Sequence, residues 1–404
     1  HYADYANVKA HDYTDDVLRT ALSHNHSVNV SGGTDKTKVI FTLGYINDEG
    51  IKINSDYNRL NASFKIRQKL AKTLDLDVDF RYTESNLNGR ENVTNGKGSN
   101  VSGAYRYRPI DNPLGGFSYS EVASGFSFGV ANIDDRHNPV ELIDDITNKS
   151  YSRSLRGSAA LSWEIIKGLV ARSELSLTRS SSKSTYYENG YTNGDKRATL
   201  NRGMGDGLRS VSTLNYNFNI GKNNVFSALL GNEVLKSDSE SSQITGRGYP
   251  STFDYDTTMG LIHTATTSFS ATNSYSVPAR TVSFFGRLSY TFMDRYLFTG
   301  TFRADGSSKF APDNRWGYFP AGAFAWRLSE EPFRNGTKDW LSNLKLRLSY
   351  GTSGSDNISS NLWRETWSSL GSGSNHTPIN GELGSFYRPD GLLANSKLKW
   401  ETTI

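Results

Sequence analysis

The sequence predicts an all-β fold, namely a transmembrane antiparallel up-and-down β-barrel of which about twelve strands are recognisable. Three observations predict it. Apolar and polar residues alternate in many segments, these segments have the length of a membrane-crossing strand, and short connections alternate with long ones. A barrel wall with one face in lipid and the other in water has all three properties.

The alternation is clearest in two neighbouring segments, 57–68 and 74–82. In the second segment the apolar residues are Leu74, Leu76, Val78, Phe80 and Tyr82, separated by Asp75, Asp77, Asp79 and Arg81. A period of two residues is typical of a strand with two different faces. The segments run for roughly 9–12 residues, which is what a tilted strand needs to cross a bilayer.

Short and long connections alternate along the chain. The predicted short turns are 69–73, 166–168, 221–223 and 293–294, and 329–342 is a longer insertion where another short turn is expected. The predicted long outer loops are about 83–151, 180–209, 237–280, 304–317 and 352–397. A soluble β-sandwich is the alternative, but its strands are usually about half as long.

The amino-acid composition excludes several other classes of protein. The 404 residues are 36% hydrophobic, below the ~45–50% of soluble domains, but 22 Tyr, 20 Phe and 7 Trp are too many aromatic residues for a disordered chain. The net charge of +4 gives no reason to expect nucleic-acid binding, and the absence of cysteine excludes thiol chemistry. No stretch has the ~20 apolar residues of a membrane helix. The residues after His1 do not have the pattern of a signal peptide, so we expect the start of the gene product to lie outside this chain.

The polar faces of the predicted strands carry both signs of charge. The expected inner-wall residues are Arg59, Lys65, Arg67, Asp75, Asp77, Asp79, Arg81, Arg156, Arg287, Arg303, Asp305, Lys345 and Arg347. Such a wall needs water or another protein beside it, because unpaired charge in a dry space is costly. The lumen is therefore expected to hold either water or a polar plug.

The sequence evidence for metal sites is weak. Asp75, Asp77 and Asp79 have the spacing of the start of a calcium loop, but its glycine and closing glutamate are missing. His24 and His26 share a strand face without a third ligand nearby. We expect no metal or cofactor at these positions.

Two features of the expected loops could bind an ion, but neither pattern is specific. The pairs 134–135 and 144–145, all aspartate, lie in the longest loop, where calcium is possible but solvation is commoner. Gly203, Gly205 and Gly207 are expected in a loop with no following helix, so they do not form a phosphate-binding loop.

No motif of a catalytic nucleophile is recognisable in the sequence, and we expect no catalytic residue and no enzyme activity.

Aromatic residues of the long loops are the candidates for ligand binding. The four selected are Tyr105, Tyr107, Trp363 and Trp367. Aromatic rings in a wet site suit stacking on sugars or packing on peptides. Packing of the loops against one another is an equally good explanation.

Four long motifs resemble the SusC/RagA family of TonB-linked outer-membrane transporters of Bacteroidota. They are HSVNVSGGTDKT at 26–37, FRADGSSKF at 302–310, LSNLKLRLSYG at 341–351 and LKWETT at 398–403. The resemblance implies a barrel of roughly 22 strands in the bacterial outer membrane. It identifies 1–25 as the end of a plug passing into the barrel and 26–404 as the N-terminal portion of the barrel.

The resemblance also implies partners and an activity. It implies active import of an oligosaccharide or peptide, energy from the TonB–ExbB–ExbD complex acting through a plug, and a SusD-like surface lipoprotein as a lid. Because no plug precedes His1, we expect this chain to be part of a longer transporter. The alternative is a plug-less pore, or a surface receptor or anchor without active transport.

Overall fold

Thirteen strands form one antiparallel sheet in the computed structural model of the chain, which describes residues 11–89, 140, 143, 145–190, 194–333, 342–369, 387–389 and 393–404. The strands are β1 Ser23–Gly33, β2 Thr37–Glu49, β3 Asp56–Ala71, β4 Leu74–Asn88, β5 Ile146–Ile166, β6 Leu169–Glu188, β7 Arg197–Ile220, β8 Asn224–Arg247, β9 Ser268–Tyr275, β10 Ala279–Phe292, β11 Tyr296–Ser307, β12 Trp316–Arg327 and β13 Lys345–Gly351. Strands β1 to β8 are neighbours in sequence order, followed by β10 to β13, while β9 pairs with the end of β8 that is remote from the β7–β8 turn.

The register gives the sheet one apolar and one polar face. On the apolar face Phe41, Phe64 and Phe80 lie opposite one another on β2, β3 and β4, and each ring is about two-fifths exposed (40%, 39% and 45%). On the polar face Arg67 lies opposite Asp77. Exposing so many apolar side chains to water costs ~25 cal/mol per Å², so this face belongs in lipid. The predicted transmembrane barrel wall of about twelve strands is confirmed.

The predicted short turns are confirmed and lie at one end of the sheet, the short-connection end. The turn after β5 contains Gly168 with φ 84°, and the turn after β7 contains Gly221 with φ 67°. Between β10 and β11, Met293 and Asp294 have φ 51° and 56°. Positive φ at two successive residues is the geometry of a tight hairpin turn, which keeps these connections short. Among the helices of the described ranges, none is long and apolar enough to span a membrane.

The predicted loop bounds were wrong where the strands run on past the apolar band. Strands β5 to β8 have 20 to 24 residues each, so most of the expected loop 180–209 is strand and the connection is only 189–196. Gly203, Gly205 and Gly207 lie inside β7 rather than in a loop. Beyond the membrane both faces meet water, so the alternation of hydropathy disappears while the backbone hydrogen bonds of the ladder continue.

The other long connections are also narrower than expected. The expected loops 83–151, 237–280 and 304–317 reduce to 89–145, 248–278 and 308–315, and the second of these contains β9. The expected loop 352–397 contains three short strands, β14 Ser353–Ser355, β15 Trp367–Ser369 and β16 Tyr387–Pro389, and β17 Glu401–Thr403 pairs with β14. These connections share the opposite end of the sheet, the long-connection end.

A small core at the long-connection end covers the apolar face of β7 and β8. Helix α2, Tyr255–Gly260, begins after Asp254, whose carboxylate accepts a hydrogen bond from the Thr257 backbone N–H. Hydrogen bonds from the Thr257 side chain and then from its backbone N–H lower the pKa of Asp254. Ala198, Tyr249 and Ile262 are buried together there. The segment 249–264 is thereby packed on the outside of the wall.

Residues 11–22 also lie at the long-connection end. Helix α1, Tyr13–Val17, buries Tyr13 and Val17 against Ile143, and the Arg19 guanidinium donates to the Gly50 carbonyl at 3.0 Å. Strand β1 then runs towards the short-connection end. That 1–25 are the end of a plug stays a prediction.

Candidate functional site

Four acidic residues of the polar face lie on one line across the sheet. Asp77, Glu174, Glu233 and Asp305 belong to β4, β6, β8 and β11, which alternate with β5, β7 and β10. The line of Cα partners is Asp77, Ala160, Glu174, Val211, Glu233, Ser283 and Asp305. The smaller side chains on the strands between leave room for arginines to reach a carboxylate on either side.

Four arginines complete this line into a continuous row, the ionic belt, defined as Arg67, Asp77, Arg172, Glu174, Arg209, Glu233, Arg303 and Asp305. Successive N–O distances are 2.6 Å (Arg67–Asp77), 2.9 Å (Asp77–Arg172), 3.4 Å (Arg172–Glu174), 4.0 Å (Glu174–Arg209), 2.6 Å (Arg209–Glu233), 3.3 Å (Glu233–Arg303) and 2.8 Å (Arg303–Asp305). The belt spans β3 to β11, so it ties together strands far apart in sequence. Networks of this kind are stronger than isolated surface pairs.

The acidic and the basic side chains of the belt lie at different depths in the wall. The acidic side chains are 9–26% exposed and the arginine side chains 37–65%. Arginine stems lie along the wall while their planar heads fork over the carboxylates. The sequence predicted a wall of mixed sign, and both signs are present, but the groups that reach furthest into the lumen are guanidiniums. Such a surface suits carboxylate or phosphate groups on whatever fills the lumen.

Besides its two carboxylate partners, Arg303 has two further contacts. Its guanidinium donates to Ser283 Oγ at 2.9 Å and lies 5.4 Å from the centroid of the Phe285 ring. That ring covers Gly231 so closely that a Cβ at Gly231 would collide with it. The glycine on β8 is therefore required for the aromatic support under Arg303.

The predicted ligand-binding residues are only partly placed. Trp363 is half-buried, with the Arg364 guanidinium 5.4 Å from its ring centroid, and Trp367 is 56% exposed at the start of β15. The Trp363 indole N–H is buried and has no hydrogen-bond partner among the residues that the structure describes. Tyr105 and Tyr107 lie outside the described residues. A ligand site built from these four aromatics stays a prediction.

The possible metal ligands take other partners where they are described. Asp77 and Asp79 pair with Arg67, Arg81 and Lys65. His24 and His26 lie on the apolar face with ring centroids 5.0 Å apart. In the described ranges no group of three His, Cys, Asp or Glu side chains is placed to hold a metal. Of the expected loop pairs, 134, 135 and 144 lie outside the described residues, and Asp145 is buried.

Lys196 is an anchoring residue that the sequence did not reveal. Its ammonium donates to the Ser251 and Phe253 carbonyls at 2.9 and 2.5 Å and lies 3.4 Å from the Tyr187 hydroxyl. Burial lowers the pKa of Lys196. It ties segment 249–264 to the wall, and no local signal links it to carbonyls more than fifty residues away.

At the short-connection end, Glu331 closes a second polar cluster. Its carboxylate accepts hydrogen bonds from the Tyr296 hydroxyl at 2.7 Å, the Trp326 indole N–H at 2.8 Å and Arg295 at 3.4 Å. The hydrogen bonds from Tyr296 and then Trp326 lower the pKa of Glu331. This cluster anchors the chain after β12.

Comparison with known proteins gives the same picture over nearly the whole chain. The TonB-dependent receptor SusC of Bacteroides thetaiotaomicron is 27% identical over 97% of this chain, and the TonB-dependent receptor P26 of Formosa agariphila is 29% identical over 97%. The chain spans only 39% and 38% of their lengths. No family model matches the chain.

Solved structures share the fold. The RagAB peptide transporter matches with a TM-score of 0.77 at 17% identity, over 99% of this chain and 44% of the other. The ferric-catecholate import receptor Fiu of E. coli K12 matches with a TM-score of 0.52 at 10% identity, over 83% and 49%. The resemblance seen in the four motifs is thus confirmed: the chain is related to the TonB-dependent receptors of the SusC/RagA family and corresponds to a part of their β-barrel.

Proposed function

We propose that the protein containing this chain imports a nutrient, an oligosaccharide or a peptide, across the bacterial outer membrane in a TonB-dependent manner. The observation that carries the proposal is the ionic belt, a charged inner wall crossing β3 to β11. A wide barrel with such a wall holds water or a polar plug, because its own side chains cannot fill it. A plug bound through charged and polar contacts can be displaced without exposing apolar surface.

The comparisons support this function and its partners. SusC is named a TonB-dependent receptor, and RagAB is described as a peptide importer. From the family we propose a plug reached by the TonB–ExbB–ExbD complex and a SusD-like lipoprotein over the long-connection end. The relatives are named as receptors and transporters, which supports transport rather than catalysis.

Two features of this chain support the proposed cargo class. Trp367 offers an exposed ring at the long-connection end, which suits stacking on a sugar or packing on a peptide side chain. The guanidiniums of the belt suit carboxylates that pass along the wall.

The test is uptake of labelled oligosaccharide and peptide pools by cells expressing the full-length protein, with and without an uncoupler of the proton-motive force. We expect uptake that the uncoupler abolishes. Trp367→Ala should raise the half-saturating concentration by roughly two- to tenfold, the worth of one stacking contact. Trp163→Ala is the matched control, since Trp163 is similarly exposed (50%) but lies on the apolar face near the short-connection end. Uptake that survives the uncoupler would indicate a passive pore, and no uptake of either pool would indicate a receptor or anchor.

A further inference from the structure

The apolar face changes character towards the long-connection end. Along β4 it runs through Phe80 and Tyr82 and then reaches Glu84, Asn86 and Asn88. Asn86 is four residues beyond Tyr82, about 13 Å along the strand. With the strand tilted by about 45°, this places Asn86 roughly 9–10 Å above the last aromatic ring of the apolar band. Lipid headgroups lie at that height.

A cavity of about 350 Å³ opens on this outward face. It is bordered by Asn86, Asn88, Lys149, Tyr151, Lys183 and Tyr255. The register puts Asn86, Tyr151 and Lys183 side by side on β4, β5 and β6, on the same face as Tyr82 and Leu155. The cavity therefore opens away from the ionic belt and the lumen.

Helix α2 forms the upper border of this cavity. The Tyr255 hydroxyl is 2.8 Å from Thr185 Oγ1, and the Lys149 ammonium lies 4.3 Å from the centroid of the Tyr255 ring. One acidic residue, Asp56, also borders the cavity, and its carboxylate accepts a hydrogen bond from the Asn88 amide at 3.1 Å. The ring and the ammonium are thus held in place at the mouth.

Among the residues that the structure describes, Lys149 and Lys183, which border the cavity, and Arg202 beside Lys183 have no carboxylate partner. Lys183 lies directly opposite Arg202 on β7, and both side chains are exposed. Within the part of the chain that the structure describes, neither they nor Lys149 form an ion pair. Like charges placed opposite each other on neighbouring strands destabilise a sheet. An anion bound between them would remove that cost.

We propose that this outward cavity binds the anionic sugar headgroup of a glycolipid in the outer leaflet of the membrane. Lys149, Lys183 and Arg202 contact a phosphate or carboxylate on the sugar, and the rings of Tyr151 and Tyr255 border its apolar faces. The inference rests on the membrane placement of the barrel and not on the identity of the cargo. Import activity and glycolipid binding can therefore fail independently.

The experiment measures binding of purified lipopolysaccharide to the full-length protein in detergent, together with native mass spectrometry of glycolipid that co-purifies from outer membranes. The variant is Lys183→Gln with Arg202→Gln. Removing two surface cations should weaken binding roughly 30-fold and remove the co-purifying glycolipid. The matched control is Lys72→Gln with Lys222→Gln, which makes the same charge change in turns at the short-connection end.

Three results would overturn the proposal. Unchanged binding in the Lys183/Arg202 variant would show that the cavity does not hold the headgroup. An equal loss in the Lys72/Lys222 control would show that only net charge matters. Displacement of lipopolysaccharide by an equal concentration of inorganic phosphate would show a free-anion site without selectivity for lipid. Each protein is first shown to keep the heat-dependent gel mobility of a folded barrel, so a loss of binding reports on the cavity.

Discussion

Replacing Glu233 by glutamine should weaken the barrel by breaking the middle of the ionic belt. The Glu233 carboxylate is 12% exposed and accepts hydrogen bonds from Arg209 at 2.6 Å and Arg303 at 3.3 Å. Two charge-assisted hydrogen bonds contribute about 1.5–3 kcal/mol each. Both guanidiniums are about two-fifths exposed, and each keeps a second carboxylate partner, Glu174 or Asp305. We therefore expect a loss of about 1–2 kcal/mol in the free energy of unfolding.

The assay is urea unfolding of the full-length protein in lipid vesicles, followed by tryptophan fluorescence. Asp206→Asn is the matched control, because the Arg179–Asp206 pair is 3.8 Å long and its side chains are 63% and 60% exposed. An exposed pair of this kind contributes less than about 0.5 kcal/mol. Equal losses for Glu233→Gln and Asp206→Asn, or no loss for Glu233→Gln, would refute the view that the belt acts as one network.

Three further predictions use the same protein. Gly231→Ala should cost about 1–3 kcal/mol in the urea titration because its methyl group would displace the Phe285 ring, whereas Gly157→Ala, which meets open space, should cost nothing. Lys196→Met should increase hydrogen–deuterium exchange across 249–264 without changing barrel unfolding, and unchanged exchange would contradict its anchoring role. The pKa of Glu331 is lowered from 4.5 in the folded state, so its stabilisation is complete above pH 4.5 and is lost as the pH falls through the lowered value. Tryptophan fluorescence should report that transition, and Glu331→Gln should abolish it.

The two faces and the short turns could be predicted from sequence because the membrane imposes them locally. Within the apolar band each side chain meets either lipid or water, so residues 74–82 alternate without exception. Tight turns have equally local signals, such as glycine at 168 and 221. Strand ends beyond the band lack such a signal. The stretch 180–184 is polar on both faces, yet it continues β6 because the backbone hydrogen bonds of the ladder continue there.

The composition of the ionic belt was predictable, but its connectivity was not. The sequence marked Arg67, Asp77, Arg303 and Asp305 as inner-wall residues, and it missed Arg172, Glu174, Arg209 and Glu233. Their strands carry weaker alternation, so the charges were not assigned to a face. Which arginine meets which carboxylate depends on the register of neighbouring strands, set by turn lengths and by bulges such as that between Lys69 and Ala71.

The belt and the outward cavity use opposite faces of the same strands, which makes their independence testable. Glu174 and Lys183 both lie on β6, nine residues and about 30 Å apart along the strand. Sites so far apart with no shared partner should contribute additively to stability. Glu233→Gln combined with Lys183→Gln and Arg202→Gln should therefore change the free energy of unfolding by the sum of the separate effects. It should weaken lipopolysaccharide binding no further than the cation variant alone. A coupling above about 0.5 kcal/mol between the variants would mean that the two faces of the wall are energetically coupled through its backbone.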